Sequence, residues 1–290
     1  MKQIRPGKLH DPIREDSLFV KDPAGRNVRV IYEEKAETIS EKYGVSLHDV
    51  FAESLRIGIF PYRYIRNSDS LGFQDQLKLA ESHVAVVGAG GLGGQAILLL
   101  SRMGIGRLSV IDSDKFDETN LNRQALSSKT SLGVFKSQEA YDLVRSINPA
   151  VEFFAHRLRL DASNCGSVLE RADVVLDCLD NIRDRFVIEE CAKALGRPLV
   201  HGAVAGFEGR VMTIFPADSG LSSLYGERAQ ESENHESAEK SMGVTAPAVS
   251  FIATLQVMEA IKIILGRGRI MRNRMLNCDL ETGEITEFSL

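Results

Sequence analysis

Val84-Ala85-Val86-Val87-Gly88-Ala89-Gly90-Gly91-Leu92-Gly93 is a short, mostly β-branched run that passes into a Gly-x-Gly-x-x-Gly turn. Leu92–Met103 continues it with the spacing of a helix. Strand, glycine turn and helix in that order give the motif its meaning. The glycines permit a tight turn and close backbone approach to phosphate, and the helix start offers free N–H groups and a positive dipole end. Gly88, Gly90, Gly91 and Gly93 are therefore candidate nucleotide-binding residues. The competing reading is a glycine turn needed only for packing.

Outward from this turn the alternation persists. Leu108–Ile111 reads as a second strand, Lys136–Ile147 as a helix and Val151–Ala155 as a strand. Val174–Asp177 and Leu199–Gly202 are further apolar strands, separated by a helix over about 182–195. Short β-branched runs alternating with longer helical stretches predict an α/β fold, a Rossmann-like, mainly parallel sheet with helices on both faces. At the end, Arg274–Asp279 and Glu284–Ser289 flank Glu281-Thr282-Gly283, which predicts antiparallel C-terminal strands. Residues 1–60 differ in texture. Leu18–Val20 and Val28–Tyr32 fit two strands across Asp22-Pro23-Ala24-Gly25, and Ser46 fits the cap of a helix carrying Leu47, Val50, Phe51 and Leu55. This is a small N-terminal accessory region, with the main domain over 61–290.

Of the 290 residues, 43% are apolar and 26% charged, and the net charge is −5. These are ordinary values for a soluble globular chain, with no whole-protein pull toward nucleic acid or an acidic membrane. Met1-Lys2-Gln3-Ile4-Arg5-Pro6 lacks the apolar core of a signal peptide. Ala246–Leu265 is apolar but broken by Ser250, Gln256, Glu259 and Lys262. A cytoplasmic protein without a membrane span is expected. In that setting Cys165, Cys178, Cys191 and Cys278 are expected to be reduced, small buried hydrophobes. No two form a Cys-x-x-Cys pair, so structural zinc is not expected. The polar stretch Ser219–Ser241 is long for a loop inside a domain and reads as functional or mobile.

Asp112 ends the second strand about twenty residues after the glycine turn, where an acid accepts hydrogen bonds from ribose hydroxyls. A strand-end acid that caps the next turn is the plainer reading. So far NAD and ATP fit equally well. Asn120-Leu121-Asn122-Arg123-Gln124 and Lys136 separate them. A bound dinucleotide has no leaving group that needs cations, whereas a cleaved triphosphate accumulates charge on departing pyrophosphate, which Arg and Lys stabilise. Asp177-Cys178-Leu179-Asp180-Asn181 then sets two acids at a strand end, and Asp180 is a candidate ligand for Mg²⁺.

At this point the sequence resembles the ubiquitin-activating-like adenylyltransferases. That family includes molybdopterin-synthase adenylyltransferases, thiamine sulfur-carrier adenylyltransferases and the adenylation domains of ubiquitin E1 enzymes. The resemblance covers about residues 60–290. It rests on an ordered set: Arg63-Tyr64-Ile65-Arg66-Asn67, the glycine turn, Asn120–Gln124, Lys136, Asp177–Asn181 and Gly243-Val244-Thr245-Ala246-Pro247. It implies ATP and Mg²⁺ as cofactors and a small ubiquitin-like sulfur carrier ending in Gly-Gly as partner. Asp112 would bind ribose. Asn120, Arg123 and Lys136 would contact phosphates beside Gln124, and Asp180 would position Mg²⁺. Arg66 would reach the neighbouring subunit's site in a homodimer. The stretch 219–241 would be the crossover loop over the carrier's tail.

There are departures. The family's paired zinc cysteines are absent; the first position reads Gly220-Leu221-Ser222-Ser223-Leu224-Tyr225. Residues 203–277 contain no cysteine, so the expected product is the carrier acyl-adenylate rather than an enzyme thioester, with a sulfurtransferase as a possible further partner. Asn67 replaces the family's usual Gln. His201 is expected to be structural. Two other readings stay open: adenylation of a small-molecule or RNA-borne carboxylate, as in threonylcarbamoyl-adenosine dehydratases, and a nucleotide-binding adaptor without turnover.

Overall fold

A computed structural model describes residues 7–226 and 242–290. The larger part of the polar stretch, residues 227–241, lies outside the described residues. The chain divides into two units, one of residues up to Ser82 with Ser101–Arg107 and Arg145–Glu152, the other of His83–Leu100, Leu108–Val144 and Phe153–Leu290.

The first unit holds α1 (His10–Glu15), β1 (Leu18–Lys21), β2 (Asn27–Ile31), α2 (Glu33–Tyr43), α3 (Leu47–Arg56), β3 (Phe60–Pro61) and α4 (Phe73–Glu81). β1 and β2 pair antiparallel across the turn that contains Gly25, and β2 runs parallel to β3. Ser46 begins α3 with a reciprocal cap. Asp49 N–H donates to Ser46 Oγ at 3.0 Å, and Ser46 N–H donates to Asp49 Oδ2 at 3.2 Å, satisfying two donors that a helix start leaves open. Val50, Phe51 and Leu55 of α3 then join Ile13, Ile31 and Phe60 in this unit's own core.

The second unit is built on an eight-stranded sheet. Its strands are β4 (His83–Val87), β5 (Arg107–Ile111), β6 (Glu152–His156), β7 (Val174–Asp177), β8 (Leu199–Ala205), β9 (Glu208–Ile214), β10 (Arg274–Asp279) and β11 (Glu284–Ser289). They lie in the order β11-β10-β9-β8-β7-β4-β5-β6. β4, β7 and β8 run parallel, while β8 to β11 are antiparallel. The α/β sheet and the C-terminal hairpin are as the sequence implies. β9 was not legible, because its period is interrupted by Gly209 and Arg210.

Helices α5 (Gly91–Met103), α6 (Lys136–Ile147), α7 (Cys165–Leu169), α8 (Ile182–Ala194), α9 (Ser222–Tyr225) and α10 (Ala246–Leu265) complete the fold. Alternation along the strands sends neighbouring residues to opposite faces. Val175 and Leu199 pack with Phe186, Ile188 and Ala192 of α8. The opposite face receives α10. A Cβ on Gly202 would lie 2.3 Å from Gln256, and one on Gly209 would lie 2.2 Å from Ile252. The apolar stretch Ala246–Leu265 is thus a core helix of this unit, and its polar residues have partners. Gln256 Nε2 donates to the carbonyls of Asp177 and Val200 at 2.8 and 3.2 Å. Glu259 Oε2 accepts from Thr213 Oγ1 at 2.9 Å and from Met271 N–H at 2.8 Å.

The cysteine reading needs correction. Cys165 and Cys191 are paired as a disulfide, whereas Cys178 and Cys278 are free and buried. The pair joins α7 to α8 within one apolar cluster. Residues 26 apart give no local sign of such contact. Only the packing of two helices brings them together.

Candidate functional site

In open sheets of this order, ligands bind at the carboxyl ends of the strands where the chain changes direction. Here it runs from β4 outward to β5 and β6, then returns to β7 on the other side of β4. A cavity of about 710 Å³ opens at that point, lined by Gly88, Gly90, Gly91, Asp112, Arg123, Gln124, Lys136 and Asp180 among others.

The glycine turn is built for closeness. Gly88 has φ 93°, and a Cβ there would lie 2.7 Å from the carbonyl oxygen of Cys178. A Cβ on Gly93 would lie 1.7 Å from the carbonyl oxygen of Gly88. Gly93 serves the turn from behind and does not line the cavity. Gly90 differs, its nearest neighbour being Gln124 Nε2 at 3.6 Å, so backbone packing does not demand glycine there.

Asp112 holds this turn as well as facing the cavity. Its Oδ2 accepts Ala89 N–H and its Oδ1 accepts Asp114 N–H, both at 2.7 Å. Each carboxylate oxygen keeps a second lone pair for a ligand hydroxyl. Burial pushes the Asp112 carboxyl pKa upward, against the pull of Lys136 and the two amides. Lys136 opens α6, is only 7% exposed, and places Nζ 3.2 Å from Asp114 Oδ2. Arg123 is half-buried, and its Nη1 donates to Thr119 carbonyl at 2.8 Å and to Asn122 Oδ1 at 3.0 Å. Gln124 is 7% exposed, and its Oε1 has no hydrogen-bond partner among the described residues. It offers a buried acceptor to the cavity.

Besides Gly93, two candidates lie outside the lining. Asn120 is buried and outside the lining. Its Oδ1 accepts Asp117 N–H at 3.1 Å, and its carbonyl accepts the N–H of Arg123 and Gln124 at 3.1 and 2.9 Å. Asn120 therefore shapes the turn that carries Arg123. Arg66 is exposed at the end of the 3-10 segment Tyr62–Asn67 in the first unit.

Sequence reasoning missed Asp114, Arg159 and Asp184 in the lining. Arg159 forms a two-point ion pair with Asp184, at 3.0 Å from Nε and 2.7 Å from Nη2. Asp184 was within reach, because Asn181 caps α8 on Asp184 N–H at 2.9 Å. Nothing in the local sequence marked Arg159. Among the described residues no group of three or more His, Cys, Asp or Glu gathers as a metal cage. Asp180 is an exposed carboxylate on the cavity lip, as is Asp114, and one or two carboxylates are the form of site Mg²⁺ uses when phosphates complete its shell.

With this geometry in view, the ThiF family model matches residues 63–290. A SAMP-activating enzyme E1 from Haloferax volcanii is 35% identical over 219 residues, 75% of this chain and 80% of that protein. A probable molybdopterin-synthase adenylyltransferase from Gracilaria tenuistipitata var. liui is 32% identical, over 77% of this chain and 62% of its own length. An adenylyltransferase and sulfurtransferase MOCS3 from Aedes aegypti is 34% identical, and the match spans 48% of that relative. Among solved structures, E. coli MccB with ATP shares the fold with a TM-score of 0.67 at 22% identity, covering 78% of this chain and 71% of MccB. The chain belongs to the ThiF family and is an enzyme of that family.

Proposed function

We propose that the chain is an ATP-dependent adenylyltransferase that activates the C-terminal glycine carboxylate of a small ubiquitin-like sulfur carrier and releases pyrophosphate. The observation that carries this reading is one cavity that joins the glycine turn to Asp112, Arg123, Lys136 and Asp180. The names of the Haloferax and Gracilaria relatives support the class of substrate and reaction. The pathway served is a pterin-metal cofactor, thiamine or a related sulfur transfer.

The reaction asks little proton chemistry of the protein. A C-terminal carboxylate has a pKa of about 3.3–3.7 and is ionised at neutral pH. It attacks the α-phosphorus without a general base, and the bond to pyrophosphate breaks. The chain's work is alignment and charge stabilisation. The glycine-turn amides approach the phosphates, Asp112 accepts from the ribose, and Arg123 and Lys136 stabilise charge on the leaving pyrophosphate. Asp180 is the residue that would hold Mg²⁺, which when bound would supply further charge neutralisation. Arg66 completes the site of a second subunit in a cytoplasmic homodimer. The product is the carrier acyl-adenylate, passed to an external sulfurtransferase or persulfide. Cys178 is a poor captor for it, because burial pushes its thiol pKa far up.

The test is ATP–pyrophosphate exchange with candidate carriers ending in Gly-Gly. Exchange should require both the carrier and its terminal carboxylate. Carrier-independent exchange, or none with any such carrier, would reject this substrate class.

A further inference from the structure

Five residues of the second unit close a ring of hydrogen bonds beside the cavity. The parallel register of β7 and β8 sets Asp177 next to His201. Both are fully enclosed, with His201 Nδ1 2.6 Å from Asp177 Oδ2. A carboxylate can only accept, so Nδ1 carries the proton. Burial keeps the imidazole neutral, which leaves Nε2 as an acceptor. The Tyr225 hydroxyl lies 3.4 Å from Nε2 and donates to it. The same hydroxyl oxygen accepts Arg185 Nη1 at 3.1 Å. Arg185 Nη2 donates to the Leu179 carbonyl. Leu179 N–H donates to Asp177 Oδ1 at 3.1 Å, and the ring is complete.

A cavity segment and a stretch outside the lining meet in this ring. Leu179 is held at both its N–H and its carbonyl, and it precedes Asp180 on the cavity lip. Tyr225 ends the stretch 219–225, which α8 grips at further points. Arg185, Glu189 and Lys193 recur at four-residue spacing, on one helical face. Glu189 accepts Leu221 N–H at 3.2 Å, and Lys193 Nζ donates to the Ser219 carbonyl at 3.2 Å. Arg185 is 3% exposed, and its fork serves both Leu179 and Tyr225. A lysine ammonium is a point charge and does not reproduce that two-way geometry.

We propose that Arg185 is a positioning residue that couples nucleotide occupancy of the cavity, through Leu179 and Tyr225, to the order of residues 219–226. The proposal rests on the cavity being an ATP site. A nucleotide that draws on the Leu179–Asp180 peptide tightens the ring, and the Tyr225 hydroxyl transmits this to the chain beside α9. Buried networks of this kind respond as a unit, because each member leaves others unsatisfied when it moves.

The experiment is hydrogen exchange by mass spectrometry on the full chain, with saturating Mg-ATP as the probe and no carrier. In the wild type, amides of 219–226 should exchange at least fivefold more slowly with Mg-ATP, alongside protection of 88–94. In Tyr225→Phe and Arg185→Lys the change at 219–226 should fall below twofold, while 88–94 stays protected. Tyr225→Phe keeps the aromatic edge contacts with His201 and Phe186, so it answers the question even where Arg185→Lys does not fold. Protection at 88–94 without any at 219–226 in the wild type overturns the coupling. So does equal protection of 219–226 in the wild type and Tyr225→Phe. No protection at 88–94 in the wild type overturns the ATP reading itself, and the coupling with it.

Discussion

The carbonyl oxygen of Gly88 stands 1.7 Å from the point where a Cβ on Gly93 would have to be. Backbone cannot yield there as a flexible side chain would. Gly93→Ala should therefore cost about 3 kcal/mol or more, at the upper end of overpacking penalties. Gly90→Ala meets only the end of Gln124, so its stability should stay within about 1 kcal/mol of wild type. Its ATP affinity should nonetheless drop at least tenfold if, as proposed, the phosphates of ATP pack against this turn. Denaturant titration and ATP binding separate the two variants. Equal stability losses would show that the turn is not packed as described.

Lys136 is nearly enclosed and Arg123 half-buried, both on the cavity wall. Arg123→Ala or Lys136→Ala should slow carrier-dependent pyrophosphate exchange at least 100-fold, as loss of one preorganised donor costs about 2.7–4 kcal/mol. Near-normal exchange in both variants would remove these residues from the mechanism.

Arg66 and Asp180 lie in different units of the chain. If Arg66 serves the neighbouring subunit, Arg66→Ala and Asp180→Ala proteins should each be poor alone. After subunit exchange, mixed dimers should regain one intact site. Absence of recovery in verified heterodimers would mean that Arg66 acts within its own chain or not at all.

The stretch Gly220–Tyr225 has no zinc cysteines, and Glu189 takes the Leu221 N–H instead. Treatment with a chelator should leave the melting temperature unchanged. Glu189→Ala should cost about 1–3 kcal/mol, the penalty of a buried donor without an acceptor. Stoichiometric bound zinc, with a melting temperature that falls on chelation, would contradict this.

Burial lowers the pKa of His201 below its ordinary 6.5. Below about pH 6.5 the unfolded chain therefore takes up a proton that the fold resists. The His201 contribution is complete above that pH and is lost as pH falls toward and through the folded-state pKa. His48 and His156 are shifted the same way, again by burial. His201→Gln should thus flatten the acid limb of stability against pH without abolishing it, by at most about 1.4 kcal/mol per pH unit. Unchanged slope between pH 4.5 and 6.5 would show that His201 is not held neutral.

Much of this molecule was legible locally. The turn Gly88–Gly93 follows its strand and opens its helix, and Ser46 caps α3 through a residue three positions on. The antiparallel pairing of Arg274–Asp279 with Glu284–Ser289 spans a short turn. In each case the interacting atoms are a few residues apart, and chain geometry brings them together whatever the rest of the protein does. Gly88, Gly90, Gly91, Asp112, Lys136 and Asp180 of the cavity could be named for the same reason: they sit at or just past strand ends and at helix starts, which periodicity locates.

Other relationships had no local trace. His201 meets Asp177 because two strands 24 residues apart in sequence pair in one register. Arg159 reaches the lip only through Asp184 of α8, and Cys165 finds Cys191 only when α7 packs on α8. Asn120 carried a ligand residue's signature, yet its side chain caps its own turn. Residue type and spacing encode what neighbours along the chain can do. Register, helix docking and the burial of charge are set by contacts among distant segments, whose energies exist only once the sheet and its covering helices have formed.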